Sequence, residues 1–161
     1  MRRNDRAVTD PEAIWTLFQN AYILRIAYVD EDGLTIVPLT YCPLRQDGKI
    51  LLIFHSALSG RKVEAFLRMP HVAFEIEEEP QFASASLPCE NGWFFASIIG
   101  HGIVRPIEEA REKASLLTAL VARLNPEAAA VKPEQAAACR VFALEVTDCT
   151  AKRRVQPKND E

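Results

Sequence analysis

The sequence predicts a mainly antiparallel β-sheet, or a small barrel, with flanking helices. Three observations carry this. Short apolar, β-branched runs recur with turn residues between them, over 22–29, 34–41 and 50–54. The connections Asp30-Glu31-Asp32-Gly33 and Arg45-Gln46-Asp47-Gly48 are too short to hold crossover helices, so neighbouring strands form hairpins. Helical segments interrupt the strands without any repeated strand–helix–strand unit. About six strands of this kind can close on themselves, which removes exposed edges.

With 161 residues the chain suits one domain, 1–161, with a sizeable core. Its 48% apolar and 25% charged composition is ordinary for a globular protein. A net charge of −3 offers no basic excess for nucleic acid. No apolar run approaches the ~20 residues that span a bilayer. The opening MRRNDRAVTDPE has no apolar stretch behind its charges, so no secretory signal is expected. The expectation is a cytoplasmic protein that binds neither nucleic acid nor membrane. Cys42, Cys89, Cys139 and Cys149 show no CxxC spacing and no nearby histidine. They read as reduced, mostly buried thiols, and no metal site is expected.

Thr9-Asp10-Pro11-Glu12 starts the first helix: Asp10 or Thr9 can cap it, Pro11 suits its first position, and Glu12 its positive end. Ile14, Leu17 and Phe18 give that helix one apolar face. Strands 22–29 and 34–41 pair across the acidic turn. Pro38 has no N–H to donate, so it marks an edge, a bulge or an interrupted ladder. Strand 50–54 precedes a helix over 61–69, and a strand over 72–77 follows Pro70. Glu75, Glu77, Glu78 and Glu79 read as a solvated strand edge. Residues 80–92 are polar and long for a connection, which suggests a functional or interface loop. In strand 93–104, Gly100 and Gly102 mark a bend, a bulge or a close backbone approach. A helix over 107–124, an Ala-rich stretch and a strand over 140–146 complete the order, with a polar end from 147.

The strongest candidate site lies in 49–70, KILLIFHSALSGRKVEAFLRMP. A strand ends, the chain turns through small residues, and a helix opens with Arg61-Lys62. The first N–H groups of a helix lack internal partners and carry partial positive charge, so a phosphate there meets backbone donors and two cations together. The bland alternative is a solvated basic helix start. No catalytic triad motif, Walker loop, HExxH or GxGxxG occurs. Redox or group-transfer chemistry would therefore come from a cofactor, and no side chain is singled out as catalytic. His55, His71 and His101 read as strand-end, turn and surface or contact histidines.

FHSALSGRKVEAFLRMPHVAFEIE resembles the strand–turn–helix–strand signature of the pyridoxamine 5′-phosphate oxidase-related flavoproteins, closest to their nitroimidazole-reductase-like branch. MRRNDRAVTDPE, Ile36-Val37-Pro38-Leu39-Thr40-Tyr41, Pro88-Cys89 with Ser97-Ile98-Ile99-Gly100-His101-Gly102, and Ala151-Lys152-Arg153-Arg154 match further pieces in the same order. The resemblance implies a split β-barrel that binds FMN at a homodimer interface. By position, it places His55 and Ser56 beside the phosphate, with Arg61 and Lys62 holding it. It sets Val37, Pro38, Leu39 and Tyr41 along the flavin ring, and Ser97 and Ile98 opposite, from the other subunit. Phe95 stands where the family commonly has tyrosine, so the loop over 78–95 departs from the pattern.

The function implied is FMN-dependent reduction of a small electron-poor acceptor, such as a nitroaromatic. The alternatives are a flavin- or haem-binding module or sensor without turnover, and a structural dimer with an empty site. The chain ends without the Arg- and Trp-rich motif of the pyridoxal phosphate-forming enzymes, so pyridoxamine phosphate oxidation is not expected.

Overall fold

The computed structural model describes residues 4–84 and 87–154. A short strand β1 (Ala7–Val8) leads into helix α1 (Pro11–Asn20), which Asp10 caps by accepting from the Glu12 and Ala13 N–H groups. Strands β2 (Ile23–Asp30), β3 (Gly33–Thr40), β4 (Cys42–Gln46) and β5 (Lys49–Ser56) follow, then helix α2 (Arg61–Arg68). Strands β6 (His71–Glu77), β7 (Gln81–Ala83) and β8 (Gly92–Ile107), helices α3 (Ala110–Leu124) and α4 (Pro133–Ala136), and strand β9 (Arg140–Arg154) complete the chain.

All strand pairs are antiparallel. The main sheet runs β3-β2-β6-β8-β9-β5-β4. Its two end strands, β3 and β4, are separated in sequence by Tyr41 alone. The chain therefore crosses from one end of the sheet to the other, and the sheet must curl. β3 comes to lie beside β5 without pairing to it. The result is a barrel with one unpaired seam, the split barrel.

The uninterrupted apolar run of β5 follows from this position. Leu52 and Phe54 join the barrel core with Leu24, Ile26, Phe66, Phe142 and Leu144. Leu51 and Ile53 point the other way, into a second cluster with Leu117 and Leu120 of α3. A strand covered on both faces loses the alternation of a half-solvated one. Phe66 of α2 packs edge-on against Tyr28, Phe54 and Phe142, so α2 is anchored in the barrel core. Among the described residues no helix is long and apolar enough to cross a membrane.

Several expectations are corrected. The described residues form nine strands rather than about six. β4 was hidden by Pro43 and by the Arg45–Gly48 turn, where Asp47 and Gly48 take φ of 51° and 75°. The last strand runs to Arg154 rather than to 146. β8 continues to Ile107, so α3 starts at Ala110 with Glu109 as its cap. The expected loop over 80–92 contains β7, paired with the start of β8. β6 lies between β2 and β8, so Glu75 and Glu77 are not on a solvated edge; Arg25 pairs with them at 2.9 and 3.2 Å. Of the four free cysteines, Cys42 alone is buried and Cys89 is exposed.

Candidate functional site

The turn from β5 to α2 is built as an anion site requires. Gly60, at the helix N-cap, has φ of +130°, a conformation that strains any residue with a Cβ. No side chain caps this helix start, so its leading N–H groups remain available. Ser56, the last residue of β5, is buried, and its Oγ has no hydrogen-bond partner among the described residues. A buried hydroxyl without a partner costs about 1–3 kcal/mol, so it points to a missing acceptor or donor. Lys62 is half-buried and, among the described residues, makes no ion pair. The turn itself is held by Arg140, whose Nε donates to the Leu58 carbonyl at 2.8 Å.

Arg61 is engaged elsewhere. Its Nη2 lies 2.8 Å from Asp30 Oδ2, at the end of β2, and 2.8 Å from Asp32 Oδ2, in the turn to β3. Asp30 also accepts from the Asp32 N–H at 2.9 Å and the Thr35 hydroxyl at 3.2 Å. Burial works to raise its pKa, but these donors and the Arg61 guanidinium outweigh it and hold the carboxyl below its ordinary value. Reciprocally, Asp30 and Asp32 push the Arg61 pKa further up. Both contacts use Nη2, which leaves the Nε and Nη1 donors of the fork for a further acceptor.

The other predicted positions fall into two groups. Val37 and Leu39 are half-buried against the barrel core, and Pro38 is exposed on β3, the strand at the sheet's end. The β2–β3 ladder continues through Arg25↔Pro38, so Pro38 marks an edge rather than an interruption. Tyr41 is fully buried and donates from its hydroxyl to the Phe18 carbonyl at 2.7 Å. Its side chain belongs to the core, and any ligand contact there would be made by main chain. His55 is exposed and pairs with Val141 across the ladder.

Thus β3, the end of β5 and the start of α2 meet around the seam. Ser97 and Ile98 are not part of that gathering: β9 separates β8 from β5, and β2 and β6 separate it from β3. Ser97 is half-buried and Ile98 lies wholly in the core.

Sequence reasoning missed two features. The Asp30–Arg61–Asp32 clasp joins residues about thirty apart, and only the Asp-x-Asp-Gly turn hinted at it. A second group, on the outer sheet face, comprises His101 with Asp148 at 3.1 Å and Arg25 with Glu75. There the Glu75 carboxyl is pushed up, chiefly by burial and then by Glu77, against the opposing pull of Arg25. The sequence marks Gly100 and Gly102 as a bend, a bulge or a close backbone approach and His101 as a surface or contact histidine, with no sign of Asp148 as its partner.

The sequence profile of the pyridoxamine 5′-phosphate oxidase family matches residues 10–153. The chain belongs to this family. No curated protein matches it in sequence. Among solved structures, a candidate 5-nitroimidazole antibiotic resistance protein from Bacteroides thetaiotaomicron is similar at 20% identity and a TM-score of 0.76, over 91% of this chain and 85% of that one. The flavocytochrome Anf3 from Azotobacter vinelandii is similar at 18% identity and a TM-score of 0.81, over 100% and 75%. The FAD and heme binding protein from Mycobacterium smegmatis is similar at 18% identity and a TM-score of 0.79, over 97% and 77%. These likenesses carry the fold of the family.

Proposed function

We propose that the protein is a homodimeric FMN-dependent oxidoreductase that reduces a small electron-poor acceptor, a nitroaromatic being one candidate. The observation that carries this is the partnerless buried Ser56 Oγ beside the uncapped start of α2. A ribityl phosphate would accept from that hydroxyl, from the leading N–H groups of α2 and from Lys62, with Arg61 adding its free donors. The main chain of β3 from Val37 to Tyr41 and the strand end at His55 would border the flavin. The flavin would supply the electron transfer.

Dimerisation is supported by two features. Ser97, half-buried, and the main chain beside the buried Ile98 would border the flavin from a second copy, since strands keep them from the seam within one. The outer face of the sheet also exposes Leu34, Ile36 and Ile99, an apolar band of the kind that marks an interface. The structural neighbours named for FAD and heme make FAD, or a flavin or haem module without turnover, the competing reading.

The test is the absorbance spectrum of the purified protein, followed by chromatography of the released flavin. Lys62→Ala should weaken FMN binding by roughly tenfold, the scale of one charge-assisted hydrogen bond. Colourless protein that does not bind added FMN overturns the proposal. Bound flavin that neither a nicotinamide reduces nor an acceptor reoxidises supports the non-catalytic module instead.

A further inference from the structure

Arg140 opens β9 directly opposite Ser56, the last residue of β5. Residues that face each other across an antiparallel ladder place their side chains on one face of the sheet. The Arg140 side chain therefore rises from the same face as the partnerless, buried Ser56 hydroxyl. Its Nε donates to the Leu58 carbonyl at 2.8 Å, and its Nη1 lies 3.5 Å from Glu108 Oε1, just ahead of α3. One guanidinium thus ties the β5–α2 turn to β9 and to the approach to α3.

The bond to Leu58 also sets the next peptide group. In a trans peptide the C=O and the N–H point in opposite directions. Holding the Leu58 carbonyl against Arg140 turns the Ser59 N–H away from it. Among the described residues neither the Ser59 nor the Gly60 N–H donates to a backbone carbonyl. Successive free N–H groups in a turn form a concavity that attracts anions. Rotation of the Leu58–Ser59 peptide would exchange one of them for a carbonyl oxygen, which repels an anion.

We propose that Arg140 is a positioning residue for a phosphate bound at the start of α2. By holding the Leu58 carbonyl it aims the Ser59 N–H at that phosphate. In this way it gives the protein a preference for phosphorylated over unphosphorylated flavin. The source of the phosphate, FMN, rests on the flavin reading above. The Ser59 N–H joins the Ser56 hydroxyl and the leading N–H groups of α2 in one set of donors. Arg140 acts through Leu58 and not by contact, since its Nε is occupied there. An unphosphorylated flavin has nothing for these donors to meet.

The experiment compares FMN with riboflavin in fluorescence titrations of the unaltered protein and of Arg140→Met, which keeps an apolar stem and removes the donor. FMN affinity should fall roughly tenfold, the scale of one charge-assisted hydrogen bond, while riboflavin affinity stays the same. Arg140→Lys, which keeps a donor, should recover part of the loss. A second readout needs no flavin. Inorganic phosphate should shift the amide NMR signals of Ser59 and Gly60 in the unaltered protein and much less in Arg140→Met. Equal weakening of both flavins would make Arg140 merely structural and overturn the proposal. So would an unchanged FMN affinity, or amides that phosphate leaves unmoved. If the protein binds neither flavin while phosphate still shifts these amides only with Arg140 in place, the flavin reading fails and the assignment of Arg140 stands.

Discussion

Arg61 reaches across from the start of α2 and donates to Asp30 at 2.8 Å, although the Asp30 side chain is only 4% exposed. The cation read from sequence as a phosphate ligand is thus also the partner of a buried carboxylate. Removing it would leave Asp30 short of a donor, so Arg61→Ala should lower both stability and flavin affinity.

The pH dependence has a definite sign. The Asp30 carboxyl titrates below its ordinary 3.8 in the fold. Its stabilisation is therefore full above that ordinary value and is lost as pH falls through the lower folded one. Asp30→Asn should flatten the acid limb of the thermal midpoint plotted between pH 2 and 6. An unchanged acid limb would mean that other carboxylates set it.

Ser56→Ala should act with opposite signs on stability and binding. Without ligand, the substitution removes a buried hydroxyl that has no partner. It should be neutral or stabilising by up to ~1 kcal/mol in denaturant melts. With FMN, it removes a donor to the phosphate and should weaken binding in a fluorescence titration. Loss of stability with unchanged affinity would place the hydroxyl's unseen partner within the protein.

Some of this was legible in the sequence because local chemistry decided it. Asp10-Pro11 fixed the start of α1, and Pro70 the end of α2. The run from Ile50 to Phe54 marked a strand, though not that both its faces are covered. Gly60-Arg61-Lys62 marked the helix start that now carries the candidate site. What stayed hidden depends on register. Nothing local shows that Thr147 is skipped in the β8–β9 ladder, yet that shift sets Asp148 rather than Thr147 against His101. Tyr41 read as a strand residue facing a ligand. It is the one residue between the sheet's two end strands, and its side chain is buried with the hydroxyl on the Phe18 carbonyl, which leaves main chain to border a flavin there.

Gly100 and Gly102 test the contact between the two longest strands. A Cβ at Gly100 would fall on the Asp148 carbonyl oxygen and 2.9 Å from Phe74 Cε1; one at Gly102 would meet the Glu145 carbonyl oxygen. Backbone cannot yield as a flexible side chain can. Gly100→Ala should cost roughly 1–3 kcal/mol, the scale of overpacking. A melt like that of the unaltered protein would show that β8 and β9 separate easily at the bulge.

The outer face supplies the test of assembly. Ile36 and Ile99 are 65% and 56% exposed in one protomer, so replacing them removes little that the single barrel needs. A charge at either position would be forced into an apolar interface if a second copy covers this face, and desolvating it there is strongly unfavourable. Ile36→Lys and Ile99→Asp should therefore convert a dimer to monomers in sedimentation. The monomer's thermal midpoint should be lowered only by the loss of association. If the proposed site is shared between two copies, flavin affinity should fall in step with dimer content. Monomers that bind FMN as tightly as the unaltered protein would confine the flavin site to β3, β5 and α2 of a single chain.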